Sequence, residues 1–289
     1  MPPADLAAYV MHLRASRALT LENHMGRAGQ QLALDLVRRS DPALSEALHA
    51  LSQTKPYAVS GLLLPETTRP VLGRVAVGDR AWVRVLGLQA DVVAALDRSL
   101  EPTPTEVEID HTRWQVESVS RNNSEHPWAG RTTTSDLIQR HRTLTPATKL
   151  TLEFATPTGF HSAGLNVPLP QPALVWGSLL RQWNDLSPFP LPEDLTPFIA
   201  WQVMLNRYRA ETQILRFKQG SQQIGFTGQA TFAIATRNEQ LERTDPALAE
   251  RLSAQREELG QALGLLAEFA FYCGVGIKTT TGMGMVRQA

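Results

Sequence analysis

The chain's chemistry-bearing residues concentrate in one glycine-rich stretch, two histidines with nearby cations, and a cluster of arginines. Residues 274–285 read GVGIKTTTGMGM, with Gly274, Gly276, Gly282 and Gly284 around a single cation, Lys278, and Thr279 beside it. Glycine lets another backbone approach closely, and successive backbone N–H groups can form an anion-binding concavity. Two nucleotide motifs fail on spacing. A P-loop needs glycine directly before its lysine, where Ile277 stands; a dinucleotide fingerprint needs a third glycine where Thr279 stands. An extended phosphate backbone such as RNA suits a loop between a helix and an edge strand. The competing reading is that these glycines only let a helix and a strand pack tightly, and the spacing leaves both open.

His49, in ALHALSQTKPY, lies beside rather than on the apolar stripe Leu44, Leu48 and Leu51. Lys55 follows six residues later, just past the helix end. His24, in ENHMGRAGQQ, stands near a second helix start beside Arg27. Histidine titrates near neutrality and so serves as acid or base in proton transfer. A solvated surface histidine is the alternative at both positions. His12, His111, His126, His141 and His161 fit no ligand spacing, and Cys273 is the only cysteine. No metal site and no cofactor is expected, and one cysteine excludes an internal disulfide. Arg207, Arg209, Arg216 and Lys218 interleave with Tyr208 and Phe217. Such a pattern could grip phosphates and stack bases, or form an ordinary solvated hairpin face.

The elements that position these residues follow from periodicity. Residues 5–15 lean toward a strand, and a helix starts near Gly26. Asp41-Pro42 caps a second helix, Asp as N-cap and Pro at the first position. Strands follow after Pro56 and over residues 80–87, then an amphipathic helix over 91–101 and strand-like alternation over 106–121. Residues 120–148 form a polar connection, periodic only over 135–140. Residues 149–160 read as a strand. Helical segments follow over 173–186, with Leu174, Val175, Leu179 and Trp183 at helical spacing, and over 194–206, then a hairpin over 207–236 turning at Gly220-Ser221. A long helix over 244–273, the glycine loop and a terminal strand close the chain. Trp176, Trp183 and Trp201 are expected in the core. The order strand, helix, strand, strand, helix, strand occurs twice, the ferredoxin-like order. The fold expected is α+β: two tandem ferredoxin-like (RRM-like) domains, 1–140 and 141–289, each a four-stranded antiparallel sheet with helices on one face.

Composition agrees with an ordinary globular protein: 43% hydrophobic and 19% charged over 289 residues. The 28 basic residues, four of them lysines, balance 28 acidic ones. A zero net charge disfavours a polycation-like binder but allows a local basic face. No apolar run reaches membrane-spanning length and the N-terminus lacks a secretory pattern, so a cytoplasmic location is expected.

GVGIKTTTGMGMV resembles the C-terminal glycine-rich signature of the CRISPR-associated repeat-processing endoribonucleases, within the repeat-associated mysterious protein superfamily. DPALSEALHALSQTKPYAVSGL, PWAGRTTTSDL, TPTGFHSAGLNVPLPQPALVWGSLLRQWN and RFKQGSQQIGFTGQATF resemble further family segments in the family's order. The resemblance implies metal-independent cleavage of CRISPR precursor RNA by 2′-hydroxyl attack, giving 2′,3′-cyclic phosphate and 5′-hydroxyl ends. It implies His49 as the catalytic histidine, Lys55 as a charge-stabilising lysine and His24 as a rival or partner acid–base. Some relatives carry a tyrosine where Leu34 stands, so a tyrosine–histidine–lysine triad is not carried over. RNA contacts are expected from Arg27, Arg207, Arg209, Arg216, Lys218 and the glycine loop. Expected partners are CRISPR repeat RNA and effector-complex subunits, around a monomer or homodimer. The alternative function is a non-catalytic CRISPR RNA-binding subunit of an effector complex.

Overall fold

The computed structural model describes residues 4–217 and 221–289. In chain order the elements are β1 (Leu6–Ala15), β2 (Leu19–Leu21), α1 (Gly26–Ser40), α2 (Pro42–Ala50), β3 (Tyr57–Val59), β4 (Gly73–Val75), β5 (Arg80–Gly87), α3 (Ala90–Leu100), β6 (Glu106–Ile109), β7 (Thr112–Ser120), β8 (Gly130–Thr132) and α4 (Thr134–Thr143). The second half holds β9 (Lys149–Thr158), β10 (Phe160–Ser162), β11 (Leu165–Val167), α5 (Pro172–Leu186), α6 (Leu195–Gln202), β12 (Val203–Arg216), β13 (Gln222–Ile234), α7 (Glu239–Thr244), α8 (Pro246–Ala254), α9 (Arg256–Cys273) and β14 (Val286–Gln288).

Each half is built on one antiparallel sheet. The first runs β3-β5-β1-β7-β6, with β8 also pairing β1; the second runs β12-β13-β9-β14. Leaving out β6 and β8, both place the first strand of the unit between its third and fourth, with its second on the outside. That is the ferredoxin-like arrangement, and it appears twice.

Residue alternation along β1 sets the two faces of the first sheet. Ala7, Tyr9, Met11, Leu13 and Ala15 point into a core shared with Leu32, Leu36, Val37, Val92 and Leu96 of α1 and α3. Leu6, Ala8 and Val10 point the other way, into the second half and the segment around Trp128. The first sheet is therefore covered on both faces, by its own helices on one and by second-half residues on the other. The second core centres on α9, which buries Leu259, Leu263, Leu266, Phe269 and Ala270 against Trp176, Trp183, Phe154 and Phe232. Each fully buried large apolar side chain contributes about 1.5–3 kcal/mol. That exceeds the ~1 kcal/mol spread of helix propensities, so packing holds this helix through its glycines.

Three expectations are corrected. The stretch over 106–121 is a hairpin, β6 and β7, whose turn residues Asp110 and His111 both have positive φ. The helix expected over 244–273 is divided at Gln255 into α8 and α9, and a short α7 precedes them; Asn238 and Asp245 side chains cap α7 and α8. The helical segment over 194–206 ends at Gln202, and β12 starts at Val203. Trp176 and Trp183 are fully buried, while Trp201 is only partly so.

Candidate nucleic-acid-processing site

Four segments converge on His24. Its backbone N–H donates to Arg216 O at 2.9 Å, tying α1's entry to the end of β12. Its Nδ1 accepts from the Gly26 N–H at 3.2 Å. Its ring meets Phe217 edge-on, centroids 5.7 Å apart. The glycine loop presses from the third side, where Gly282 pairs in a parallel bridge with Ser60. Glycine is required here. A Cβ on Gly26 would lie 1.7 Å from Thr281 O, and one on Gly282 would lie 2.5 Å from His24 Cε1. His24 is 7% exposed, and burial pushes its pKa down to about 4. It is neutral at pH 7. With Nδ1 accepting, the hydrogen bond assigns the ring proton to Nε2.

The glycine loop itself is largely spent on the protein. Val275 N–H donates to Gly284 O, Ile277 N–H to Gly159 O, Gly276 N–H to Ser178 Oγ, Gly284 N–H to Pro157 O and Met283 N–H to Lys278 O. Gly274, Gly282 and Gly284 are buried. Internal bonds take the Gly274, Gly276 and Gly284 amides, expected as RNA contacts with Gly282, so close packing is one role these glycines serve. Lys278 differs. It is exposed, holds a left-handed backbone at φ 59°, and carries its ammonium 5.2 Å from the Phe217 ring. Thr279, half-exposed, lies beside it.

His49 and Lys55 form a separate locale. Asp41 caps α2 through its side chain, accepting from Leu44 N–H, and Pro42 takes the first position as expected. Ser45 Oγ donates to Leu34 O at 2.9 Å, fastening α2 along α1. Leu34 is buried in the first core. His49, near the C-terminus of α2, is exposed and has no side-chain hydrogen bond among the described residues. Lys55 Nζ donates to Leu48 O at 2.8 Å and His49 O at 3.1 Å, capping that helix end. Partial burial lowers the Lys55 pKa. Thr54 binds Asp185 of α5, so the loop carrying Lys55 is fixed to the second half. No hydrogen bond or ring contact joins His49 to His24 among the described residues.

The arginines lie as expected on β12. Arg207 faces Thr231 and Arg209 faces Gln229 across the hairpin, and both arginines are exposed. Tyr208 between them is 56% exposed. Arg216 is exposed while its carbonyl serves His24. Lys218 and the turn residue Gly220 lie outside the described residues. Arg27 is exposed on α1, at the rim of a cleft of about 420 Å³ that His24 and Phe217 also line.

Sequence reading missed Arg84. It is fully buried, donates Nε to Trp128 O (2.7 Å) and Nη2 to Phe271 O (2.8 Å), and its guanidinium lies 4.2 Å from the Phe271 ring centroid. The alternation Trp82, Arg84, Leu86 placed it on the face opposite Val83 and Val85. No local signal showed that this face would be covered. Among the described residues no three His, Cys, Asp or Glu side chains gather to hold a metal ion, and no helix is long and apolar enough to cross a membrane.

Two sheets of the same strand order, seamed through a glycine loop, define a tandem ferredoxin-like protein. The family model for CRISPR-associated endoribonuclease Cas6 matches residues 152–286. A CRISPR-associated endoribonuclease Cas6 of Streptococcus thermophilus is 29% identical over 143 residues, 48% of this chain and 50% of that protein. One of Mycobacterium tuberculosis is 30% identical over 141 residues, 48% of this chain and 38% of that protein. The chain thus spans half or less of the length of the curated relatives it matches. A Thermus thermophilus Cas6 solved as a product complex superposes with a TM-score of 0.76 at 26% identity, over 99% of this chain and 100% of its own. Together these likenesses support a CRISPR-associated endoribonuclease family for the chain.

Proposed function

We propose that the protein cleaves CRISPR precursor RNA within its repeats, without a metal, by attack of the 2′-hydroxyl on the adjacent phosphate. The reaction needs a base at the 2′-hydroxyl and an acid at the leaving 5′-oxygen, and yields a 2′,3′-cyclic phosphate and a 5′-hydroxyl. The reading rests on one observation above others. His49 projects an exposed imidazole, without a side-chain hydrogen bond among the described residues, from a helix end that the Lys55 ammonium caps. Its ring is open to a substrate, whereas His24 is enclosed and neutral. We assign proton transfer to His49, charge stabilisation and helix-end positioning to Lys55, and a holding role to His24. Arg27, Arg207, Arg209, Arg216, Lys218, Lys278 and Thr279 supply the RNA grip. The halves 1–140 and 141–289 divide this work, the first carrying the cutting residues and the second most of the grip. The full-length likeness to a Cas6 product complex supports repeat RNA as the substrate.

The experiment incubates the protein with CRISPR repeat RNA of its own genome in EDTA. Cleavage is expected to persist in EDTA and to vanish when the nucleotide before the cut is 2′-deoxy. Loss of cleavage in EDTA refutes metal independence. Tight binding without cleavage instead identifies an RNA-binding subunit of an effector complex.

A further inference from the structure

The cleft beside His24 has a lining that no grip on phosphate explains. Three polar residues lie four apart along the exposed side of α1: Arg27, Gln31 and Asp35. Residues at i, i+4 and i+8 share a helix face. The β6–β7 hairpin contributes Glu108, Asp110 and His111 to the lining, and Phe217 joins them. At about 420 Å³ the space falls low in the ~300–1,000 Å³ range of small-ligand sites. Besides Arg27, the lining offers the carboxylates of Asp35 and Glu108, which are hydrogen-bond acceptors and poor hosts for a phosphate. What the interior favours is a group rich in hydrogen-bond donors.

We infer that this cleft holds one unpaired guanine of the bound RNA, with Asp35 as the residue that reads it. Single-stranded RNA is read by hydrogen bonds to the edges of splayed-out bases and by stacking on aromatic side chains. Guanine presents two adjacent donors on one edge, N1–H and the N2 amino group. Adenine, cytosine and uracil each set an acceptor beside their donor, and that acceptor would face a carboxylate. In the free protein the Gln31 amide occupies this position: Nε2 lies 3.0 and 3.2 Å from the two Asp35 oxygens. Arg38 Nη1, 3.0 Å from Oδ1, holds the carboxylate from the other side. A guanine edge replaces the Gln31 amide across the same two oxygens. This rests on the proposed RNA function and adds a specificity-determining residue to it.

The test is filter binding of the full protein to its CRISPR repeat RNA, with each guanosine replaced in turn by inosine, which lacks the N2 amino group. Wild type is expected to lose about tenfold in affinity at one unpaired position. Asp35→Asn is expected to bind the parent RNA about tenfold more weakly and to lose the inosine penalty at that position. Gln31→Ala keeps the penalty, because the carboxylate remains; since Asp35 is one-third exposed and its ion pair is a surface one, both variants are expected to fold. An inosine penalty unchanged in Asp35→Asn, or absent everywhere in wild type, overturns the guanine assignment while leaving the RNA reading standing. Failure of wild type to bind any repeat RNA overturns both.

Discussion

At the scale of single residues, the fold sets His24 and His49 in two environments that the sequence could not separate. Both stand near a helix terminus with a cation a few positions away. What separates them is tertiary: the glycine loop, the segment at Ser60-Gly61 and Phe217 close around His24, while His49 is exposed. Burial has a measurable consequence. The His24 pKa falls from 6.5 in the open chain to about 4 in the fold. Between those values the unfolded chain binds the proton and the folded one does not. Stability is therefore full above pH 6.5 and is lost as pH falls through 6.5 toward 4. The shift corresponds to about 3 kcal/mol at most. Urea unfolding at pH 7.5 and pH 5 should show this loss, and His24→Gln should reduce it. An equal pH dependence in that variant would remove His24 as its source.

At the scale of elements, the strands and helices were legible because their periodicities are strong and their caps conventional. β1, α1, α2, β5, α3, β9 and α5 all fall where alternation, Asp41-Pro42 and helical spacing placed them. The breaks in the C-terminal helices were not. Asn238 and Asp245 are good caps, but nothing local told caps from ordinary polar helix residues. The glycine loop shows the same limit. Its composition allowed phosphate binding or close packing, and only the identity of its neighbours decides. Two substitutions test this decision. Gly→Ala inside a helix ordinarily stabilises by about 0.5–1 kcal/mol. Gly177→Ala in α5 should do so, because a Cβ there meets nothing within 4 Å. Gly26→Ala should instead destabilise by several kcal/mol, because its Cβ would meet the Thr281 carbonyl at 1.7 Å and displace the loop. Thermal melts of the two variants should move in opposite directions. A shift of Gly26→Ala to higher temperature would contradict the packing role of the loop.

At the scale of the whole molecule, the repeated strand order was readable because the element order itself repeats. The way the two units sit together was not. It depends on Arg84, whose guanidinium joins β5 to the Trp128 segment and to α9 through two carbonyls and two aromatic rings. A lysine there keeps the charge but lacks the planar fork that reaches both carbonyls. Leaving one buried carbonyl unpaired costs about 1–3 kcal/mol. Arg84→Lys should lower the melting temperature by several degrees, and an unchanged melt would show that the seam does not depend on this residue. The same seam fixes Thr54 to Asp185, so the loop with Lys55 and the end of α2 are held by the second half.

The central claim is that His49 cuts RNA that the rest of the molecule holds. His49→Ala, assayed for both cleavage and binding of CRISPR repeat RNA, tests it most directly. Removing a positioned acid–base should slow cleavage by about 10²- to 10⁴-fold, with binding within a few-fold of wild type, since the His49 side chain is exposed and makes no side-chain hydrogen bond among the described residues. Cleavage at the wild-type rate in His49→Ala would contradict the account.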